Sequence, residues 1–216
     1  MENDVPLLNT KLQIPPPRPD LVPRPRLLKR LEDGLHRGRR LTLISAPAGY
    51  GKTTLLCEWL FSRKGRCAWL SLDEGENDAT RFLAYLLAAA QKLDGGPATE
   101  AQAGQALQID AVLTTLINRW QATAAALEGS ERWILVLDDY HLISRERVHE
   151  AVTTLLDHLP DAVHLAVSTR ADPPLPIARL RARGQLTELR QADLCFDHDE
   201  ATQFLCQAVR TGLDAE

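Results

Sequence analysis

Residues 46–54, Ala-Pro-Ala-Gly-Tyr-Gly-Lys-Thr-Thr, have the types and spacing of a loop that binds phosphate. Gly49 and Gly51 allow backbone N–H groups to turn toward phosphate oxygens, and a helix that begins after the loop points its positive end at the same anion. In such a loop Lys52 contacts the β- and γ-phosphates, and the hydroxyl of Thr53 binds Mg²⁺. The pattern therefore predicts a site for a nucleoside triphosphate.

The loop departs from the Walker A pattern GxxxxGK[ST] at one position, where Ala46 replaces the first glycine. That glycine serves mainly the geometry of the loop, so a small residue is compatible with binding. A chance glycine-rich turn is the alternative, but an apolar strand before the loop and a helix after it favour a true phosphate loop. Thr54 is expected at the α-phosphate. The predicted nucleotide contacts of the loop are Ala48, Gly49, Tyr50, Gly51, Lys52, Thr53 and Thr54.

A second acidic motif follows residues 133–137, Trp-Ile-Leu-Val-Leu, as Asp138-Asp139. An apolar strand that ends in a carboxylate is typical of a Walker B strand, in which Asp138 holds Mg²⁺. Asp139 then lies where a carboxylate can polarise the attacking water, which makes it the candidate base, with Lys52 as a further catalytic residue. A buried strand that happens to end in two aspartates is the alternative, which the phosphate loop upstream makes less attractive.

Arg170 follows the apolar residues 163–168. The carboxyl ends of parallel strands form the edge where ligands bind, so a guanidinium there can contact a γ-phosphate and respond to its loss. Arg170 is therefore a candidate sensor and catalytic residue. The residues alone allow a second interpretation, in which Arg170 is a surface arginine before a proline-rich turn.

Short apolar strands alternate with amphipathic helices along the chain, which predicts an α/β fold with helices on both faces of a parallel sheet. Together with the two motifs, this indicates a P-loop NTPase three-layer sandwich with a five-stranded parallel sheet. The predicted strands are 40–45, 68–72, 132–137, 163–168 and 186–190. The predicted helices are 24–35, 52–63, 79–93, 109–127, 148–158, 175–183 and 199–210.

The domain prediction has three parts: an extended, proline-rich arm at 1–23, the nucleotide-binding domain at 24–195, and the start of a following helical module at 196–216. Since the last helical pattern has no terminating signal, a fragment of a longer chain is expected. The absence of an apolar N-terminal stretch and of long apolar runs predicts a cytoplasmic protein without membrane contact.

Composition excludes several other classes of site. The net charge of −4 and the sequence pI of about 5.9 argue against direct DNA binding by this segment, because surfaces that bind the DNA backbone usually carry an excess of basic residues. The four cysteines contain no CxxC pair, so reduced thiols are expected rather than a zinc or disulfide site. The six histidines form no metal-ligand spacing and are predicted to be surface or capping residues.

Several motifs together resemble one family along nearly the whole chain, from about residue 10 to 205. They are the phosphate loop, the segment 69–77 with Arg81-Phe82, residues 137–142 (Leu-Asp-Asp-Tyr-His-Leu), and residues 168–176 with 179–186. This set resembles the N-terminal ATPase domain of the MalT-like large LuxR-type transcription activators, which are signal-transduction ATPases of the STAND class.

The resemblance implies a larger protein in which ADP marks the resting state. Inducer and ATP would favour self-association, and DNA would be bound by a C-terminal helix-turn-helix that lies outside these residues. Carried over by position, Lys52 and Thr53 would bind phosphate and Mg²⁺, Asp138 would hold the metal, and Arg170 would sense the γ-phosphate. ATP or ADP with Mg²⁺ are the implied cofactors.

The resemblance also implies a binding segment for the adenine at residues 21–24, where backbone groups near Val22 would hold the base. Arg24 either helps there or is an ordinary arginine at a helix start. Asp73 and Glu74 are either groups near the metal or a charged turn, and the turn is favoured. A small-molecule kinase and a module that binds nucleotide only for stability remain alternatives, which turnover with candidate phosphate acceptors would separate.

Overall fold

The computed structural model describes residues 7–17, 21–63, 65–96, 109–126 and 131–213, with side chains in the last range as far as residue 206. Five strands form one sheet in which every neighbouring pair is parallel, in the order β2-β3-β4-β1-β5. The strands are β1 (Leu41–Ser45), β2 (Cys67–Ser71), β3 (Trp133–Asp138), β4 (Val163–Thr169) and β5 (Leu186–Arg190). The predicted α/β fold is confirmed.

The strand order decides which side chains meet. β4 lies between β1 and β3, so the strand before Arg170 separates the strand before the phosphate loop from the strand that ends in Asp138. Because all strands run in one direction, their carboxyl ends lie at one edge of the sheet. β1, β3 and β4 are buried along their whole length, as expected for central strands covered on both faces.

Helices cover both faces of the sheet and give the three layers that were predicted. Leu27 and Leu31 of α1 and Leu56 of α2 share one apolar core with Ile44 of β1. The opposite core contains Leu43 of β1 and apolar residues of the helices α3, α4, α5 and α6. The helices are α1 (Pro25–His36), α2 (Lys52–Phe61), α3 (Ala79–Asp94), α4 (Ile109–Ala126), α5 (Glu146–His158), α6 (Ile177–Ala182), α7 (Gln191–Leu194) and α8 (His198–Leu213).

The N-terminal arm is not extended throughout, which differs from the prediction. Residues Asn9–Leu12 form a 3₁₀ turn beside β2, and the side chain of Leu12 is buried. Lys11 forms an ion pair with Glu76, a carboxylate that is fully buried, with Nζ and Oε2 2.6 Å apart. This pairing stabilises the turn against the domain, because a buried charge is costly unless it is paired. The short, polar segment gave no helical periodicity that sequence reasoning could detect.

The prediction that the histidines are surface or capping residues is wrong for two of them. His164 of β4 is fully buried, with Nδ1 2.8 Å from the carbonyl oxygen of Arg39 and Nε2 2.8 Å from the hydroxyl of Thr42. Burial lowers its pKa to about 3. His149 of α5 is buried as well, and its Nδ1 lies 2.9 Å from the hydroxyl of Tyr140. Both nitrogens of the His164 ring and Nδ1 of the His149 ring thus have hydrogen-bond partners.

None of the four cysteines forms a disulfide in the structure, and the prediction of reduced thiols stays a prediction. In the part of the chain that the structure describes, no helix is both long enough and apolar enough to cross a membrane. Helix and strand boundaries agree with prediction within one or two residues at most ends, but the short helix α7 was not predicted.

Candidate functional site

The phosphate loop connects β1 to α2 at the carboxyl edge of the sheet. Gly49 has φ 85° and Gly51 has φ 73°, and both values lie in the left-handed region that side chains with a Cβ rarely adopt. No atom lies within 4 Å of a Cβ placed on either glycine, so the requirement is one of backbone conformation rather than space. The loop therefore has the two left-handed turns for which the glycines were predicted.

The structure explains why Ala46 replaces the first glycine of the motif. Its side chain is 2% exposed and packs in the apolar core between the sheet and the helices α1 and α2. Its N–H donates to the carbonyl of Thr169 over 3.2 Å, which continues the pairing between β1 and β4. A methyl group here is buried favourably, and the left-handed turns occur only at the later glycines.

Lys52 is the first residue of α2, and its side chain is buried beside the loop. Nζ donates to the carbonyl oxygen of Pro47 over 2.9 Å. Burial lowers the pKa of Lys52, the charge of Asp139 opposes this shift, and the charge of Arg170 adds to it. These effects place the lysine, the candidate base and the candidate sensor within electrostatic reach of one another.

Thr53 and Asp138 meet across the site from α2 and β3. The Thr53 hydroxyl donates to the two carboxylate oxygens of Asp138 at 3.2 and 3.0 Å. Ser168, at the end of β4, donates a further hydrogen bond to Asp138 Oδ1. Burial raises the pKa of Asp138, the bond from Ser168 opposes the shift, and Asp139 adds to it. Sequence reasoning missed Ser168, because only the sheet order brings it here.

The donor set of this pair fits a magnesium ion. Mg²⁺ prefers oxygen ligands and is usually held by one or two carboxylates together with hydroxyl, water and phosphate oxygens. Asp138 is 3% exposed and hence a costly buried charge that a bound cation would stabilise. Thr53 supplies the hydroxyl that the phosphate-loop pattern requires.

Asp139 has an unusual backbone conformation. With φ 58° it is the only non-glycine residue of positive φ in the described ranges. Its N–H donates to the hydroxyl of Ser168 over 3.1 Å, and its side chain remains 44% exposed. Non-glycine residues in this region cost conformational energy and often occur at functional sites. The carboxylate of Asp139 is therefore accessible to solvent, unlike that of Asp138.

His141 is a site residue that sequence reasoning did not single out, although it lies only two positions after Asp139. Its Nδ1 is 3.8 Å from Asp139 Oδ1. Both ring nitrogens are buried, and neither has a hydrogen-bond partner among the described residues. Burial lowers the pKa of His141, and the charge of Arg170 lowers it further. A neutral imidazole with free nitrogens thus lies beside the candidate base.

Arg170 directly follows β4 and is exposed at the site edge of the sheet. It forms no ion pair with any other residue that the structure describes. The segment after it is held by the ion pair between Asp172 and Arg190, and by a 2.7 Å bond from the Thr169 hydroxyl to the carbonyl of Ala171. A fixed loop thus presents a guanidinium that no protein carboxylate neutralises within these ranges.

The segment predicted to hold the base has a different arrangement. Val22 is buried, but the guanidinium of Arg24 contacts residues of α7 and α8. Arg24 Nη2 donates to the carbonyl of Leu194 over 2.9 Å, and Nε pairs with Glu200 at 3.0 Å. The ring of Phe196 lies 4.7 Å from the guanidinium carbon. A role of Val22 and Arg24 in nucleotide binding stays a prediction.

Asp73 has the contacts of a charged turn, the interpretation that was favoured. It accepts a hydrogen bond from the N–H of Gly75 over 2.7 Å and pairs with Lys11 at 2.6 Å. It caps the 3₁₀ turn Glu74–Asn77, to which Glu74 belongs.

No family model matches the chain. The chain is 40% identical over 198 residues to the HTH-type transcriptional regulator MalT of Yersinia pestis (strain Pestoides F), and equally to that of Yersinia enterocolitica (strain NCTC 13174 / 8081). Each alignment covers 92% of this chain and 21% of the relative. The chain thus spans about a fifth of the length of the curated relatives it matches.

Solved structures with similar folds are P-loop ATPases and replication proteins. A Walker-type ATPase of Pyrococcus abyssi is 14% identical with a TM-score of 0.51, covering 92% of this chain and 61% of that one. The ORC1 protein of Aeropyrum pernix, solved in complex with DNA, is 17% identical with a TM-score of 0.50. That match covers 89% of this chain and 52% of the ORC1 chain. At these identities the likeness concerns the fold. Over the aligned residues the chain is related to the transcriptional regulator MalT, and it has the fold of a P-loop ATPase.

Proposed function

We propose that this chain is the nucleotide switch domain of a signal-responsive transcription activator, which binds ATP or ADP with Mg²⁺ and hydrolyses ATP slowly. The observation that carries the proposal is the meeting of Thr53 and Asp138, 3.0 Å apart, beside the buried ammonium group of Lys52. A hydroxyl, a carboxylate and a lysine at the start of a helix match the needs of a magnesium-bound triphosphate.

In this proposal the backbone of the phosphate loop and Lys52 bind the phosphates, while Thr53 and Asp138 hold the metal. When bound, Mg²⁺ neutralises phosphate charge and orients the phosphate oxygens. Thr54 contacts the α-phosphate, and backbone groups near Val22 hold the base. The loop residues that line the phosphates are Ala48, Gly49, Tyr50 and Gly51.

Asp139 is the proposed residue that orients and polarises the attacking water. Its carboxylate is partly exposed, whereas the neighbouring Asp138 is buried, so the two aspartates have separate tasks. The neutral ring of His141 beside Asp139 offers a further polar group to the water or to the carboxylate. Turnover is slow in this proposal because the domain acts as a switch.

Arg170 is the proposed sensor of the γ-phosphate. A charge-assisted contact of this kind contributes about 1.5–3 kcal/mol, or roughly 10- to 150-fold in affinity. We expect Arg170→Ala to weaken binding of a non-hydrolysable ATP analogue by about that factor. ADP affinity should change by less than about twofold, because ADP has no γ-phosphate.

Isothermal titration calorimetry with each nucleotide and Mg²⁺ measures both effects. Arg183→Ala is the matched control, since Arg183 is also exposed but precedes β5 and thus lies at the opposite edge of the sheet. Equal losses for ATP analogue and ADP would assign Arg170 to the fold or the β-phosphate. No loss for either would return it to an ordinary surface arginine.

The consequences for the larger protein are also part of the proposal. The relatives are named as HTH-type transcriptional regulators, which supports DNA binding by a helix-turn-helix outside these residues. Self-association in the ATP state is the further part of the proposal that the resemblance implies. Sedimentation of a full-length protein with ADP and with ATP analogue, each with and without Arg170→Ala, tests the link. An ATP-dependent assembly that survives the substitution would contradict it.

A further inference from the structure

The segment after β3 holds Asp139 in a conformation that its sequence does not favour. Asp139 is left-handed, and the chain then makes a single 3₁₀ turn at Tyr140–Leu142 before α5 begins at Glu146. A disfavoured backbone of this kind persists only where surrounding contacts over-determine it. The partners of the segment 139–145 therefore set where the Asp139 carboxylate points.

Two of these partners come from neighbouring elements of the site. The hydroxyl of Ser168 accepts the N–H of Asp139 at 3.1 Å and fixes the start of the segment. The hydroxyl of Tyr140 lies 2.9 Å from Nδ1 of His149 in α5, a bond that is buried. Neither contact reaches the residues after His141.

The third partner is Asn77, which lies more than 60 positions earlier, at the end of the 3₁₀ turn Glu74–Asn77. Its amide nitrogen donates to the carbonyl of Leu142 over 2.9 Å. Its amide oxygen accepts from the N–H of Ser144 at 2.7 Å, the N–H of Arg145 at 3.1 Å and the Ser144 hydroxyl at 3.2 Å. One side chain thus bonds to the backbone of three residues in the second half of the segment, Leu142, Ser144 and Arg145.

Asn77 is itself rigidly placed. Its amide nitrogen also donates to the carbonyl of Glu74 within its own turn, at 3.1 Å. The turn is anchored by Glu76, whose buried carboxylate pairs with Lys11 and, at 3.2 Å, with Arg81. The hydrogen bonds of the Asn77 amide therefore connect this anchored turn to the segment that contains Asp139 and His141.

We propose that Asn77 is a positioning residue for ATP hydrolysis: it fixes the segment 139–145 so that Asp139 and His141 face the γ-phosphate side of the site. This inference rests on the proposed function. Asn77 bonds to the segment and to no residue of the phosphate loop within the described ranges. Its loss should therefore affect turnover and leave nucleotide binding nearly unchanged.

The test measures ATP turnover with Mg²⁺, and the affinity for ADP and for a non-hydrolysable ATP analogue, on residues 1–216. We expect Asn77→Ala to slow turnover by about tenfold or more, because small misplacements of catalytic groups are costly. Both affinities should stay within about twofold. Asn77→Asp keeps the acceptor oxygens for Ser144 and Arg145 and should recover most of the lost turnover.

Asp78→Ala is the matched structural control. Asp78 caps α3 through the N–H of Arg81 at 2.9 Å and lies next to Asn77, without a bond to the segment 139–145. It should lower the melting temperature and leave turnover unchanged. Unaltered turnover in Asn77→Ala, or equal effects of Asn77→Ala and Asp78→Ala, would overturn the positioning role while binding persists. A wild-type chain that binds no nucleotide would instead refute the proposed function itself.

Discussion

The phosphate site and the junction between α1 and α8 use buried charge in opposite ways. At the proposed phosphate site, Lys52 and Asp138 are buried. Burial is the largest influence on both pKa values: it lowers that of Lys52 and raises that of Asp138, and each shift favours the neutral form of the side chain. At the junction, Arg24 and Glu200 are equally buried but neutralise each other over 3.0 Å. In the first region the buried charges would be neutralised by a bound ligand, whereas in the second they neutralise each other and stabilise the fold.

This contrast separates residues that serve binding from residues that serve stability. A charge shifted toward neutrality by burial is costly to the folded protein, so its removal need not destabilise the fold. A charge that satisfies a buried partner leaves that partner stranded when it is removed. The two regions should therefore respond to substitution with opposite signatures, in affinity at the phosphate site and in unfolding free energy at the junction.

The largest effect is expected at the junction. Arg24→Ala removes the buried one of the two arginines that pair with Glu200, and with it the donor to the carbonyl of Leu194. We expect a loss of about 3–5 kcal/mol in the free energy of unfolding, the usual cost of breaking a buried pair. Urea denaturation followed by Trp fluorescence measures it. Arg26→Ala is the control, because Arg26 pairs with the same carboxylate but is 38% exposed, and should cost at most about 1 kcal/mol.

If Arg24→Ala weakened ADP binding strongly while the unfolding free energy stayed the same, the comparison would fail. Arg24 would then belong to the base site, the alternative that the sequence left open.

A smaller effect concerns pH. Burial raises the pKa of Glu200. Hydrogen bonds to its carboxylate from the backbone N–H of Asp197 and from the side chains of Arg26 and Arg24 outweigh burial, so that the pKa lies below 4.5. Its contribution to stability is present above pH 4.5 and is lost as the pH falls through the lowered value. The pKa of Asp138 is raised above 3.8, so its charge opposes folding at neutral pH, and this cost disappears on acidification through the raised value.

Glu200→Gln and Asp138→Asn test these signs. At pH 7 the first should destabilise the protein by about 1–3 kcal/mol, and the second should leave it as stable as the wild type or more so. Both differences should shrink as the pH falls through the pKa of each carboxyl group. His164, with its pKa lowered to about 3, destabilises all three proteins alike as the pH falls below 6.5, so the differences between variants are the informative quantity. Differences of the same sign at pH 7 would refute the contrast.

The sequence predicts the phosphate site far better than the junction, for a physical reason. In the proposed site Gly49, Gly51, Lys52 and Thr53 would act through a local backbone turn, so their types and spacing alone indicate the chemistry. Asp138 is identified by the apolar strand before it. Local patterns of this kind also gave the strands and most helix boundaries.

Apart from the contact of His141 with Asp139, the site contacts that sequence reasoning missed join distant parts of the chain. Ser168 meets Asp138 only because β4 lies between β1 and β3. Asn77 reaches Ser144 across 67 positions, and Arg24 reaches Leu194 across 170. No periodicity or spacing within one element specifies such pairs, since they follow from the order of strands and the packing of helices.

The most direct test of the account is the affinity of Lys52→Ala for ATP and Mg²⁺, measured by calorimetry beside its unfolding free energy. We expect affinity to fall by about 10- to 150-fold, the loss of a charge-assisted phosphate contact, with stability within about 1 kcal/mol of the wild type. Lys29→Ala, on an exposed position of α1, should change neither quantity. A folded Lys52→Ala protein that binds ATP as tightly as the wild type would contradict the assignment of this loop as the nucleotide site.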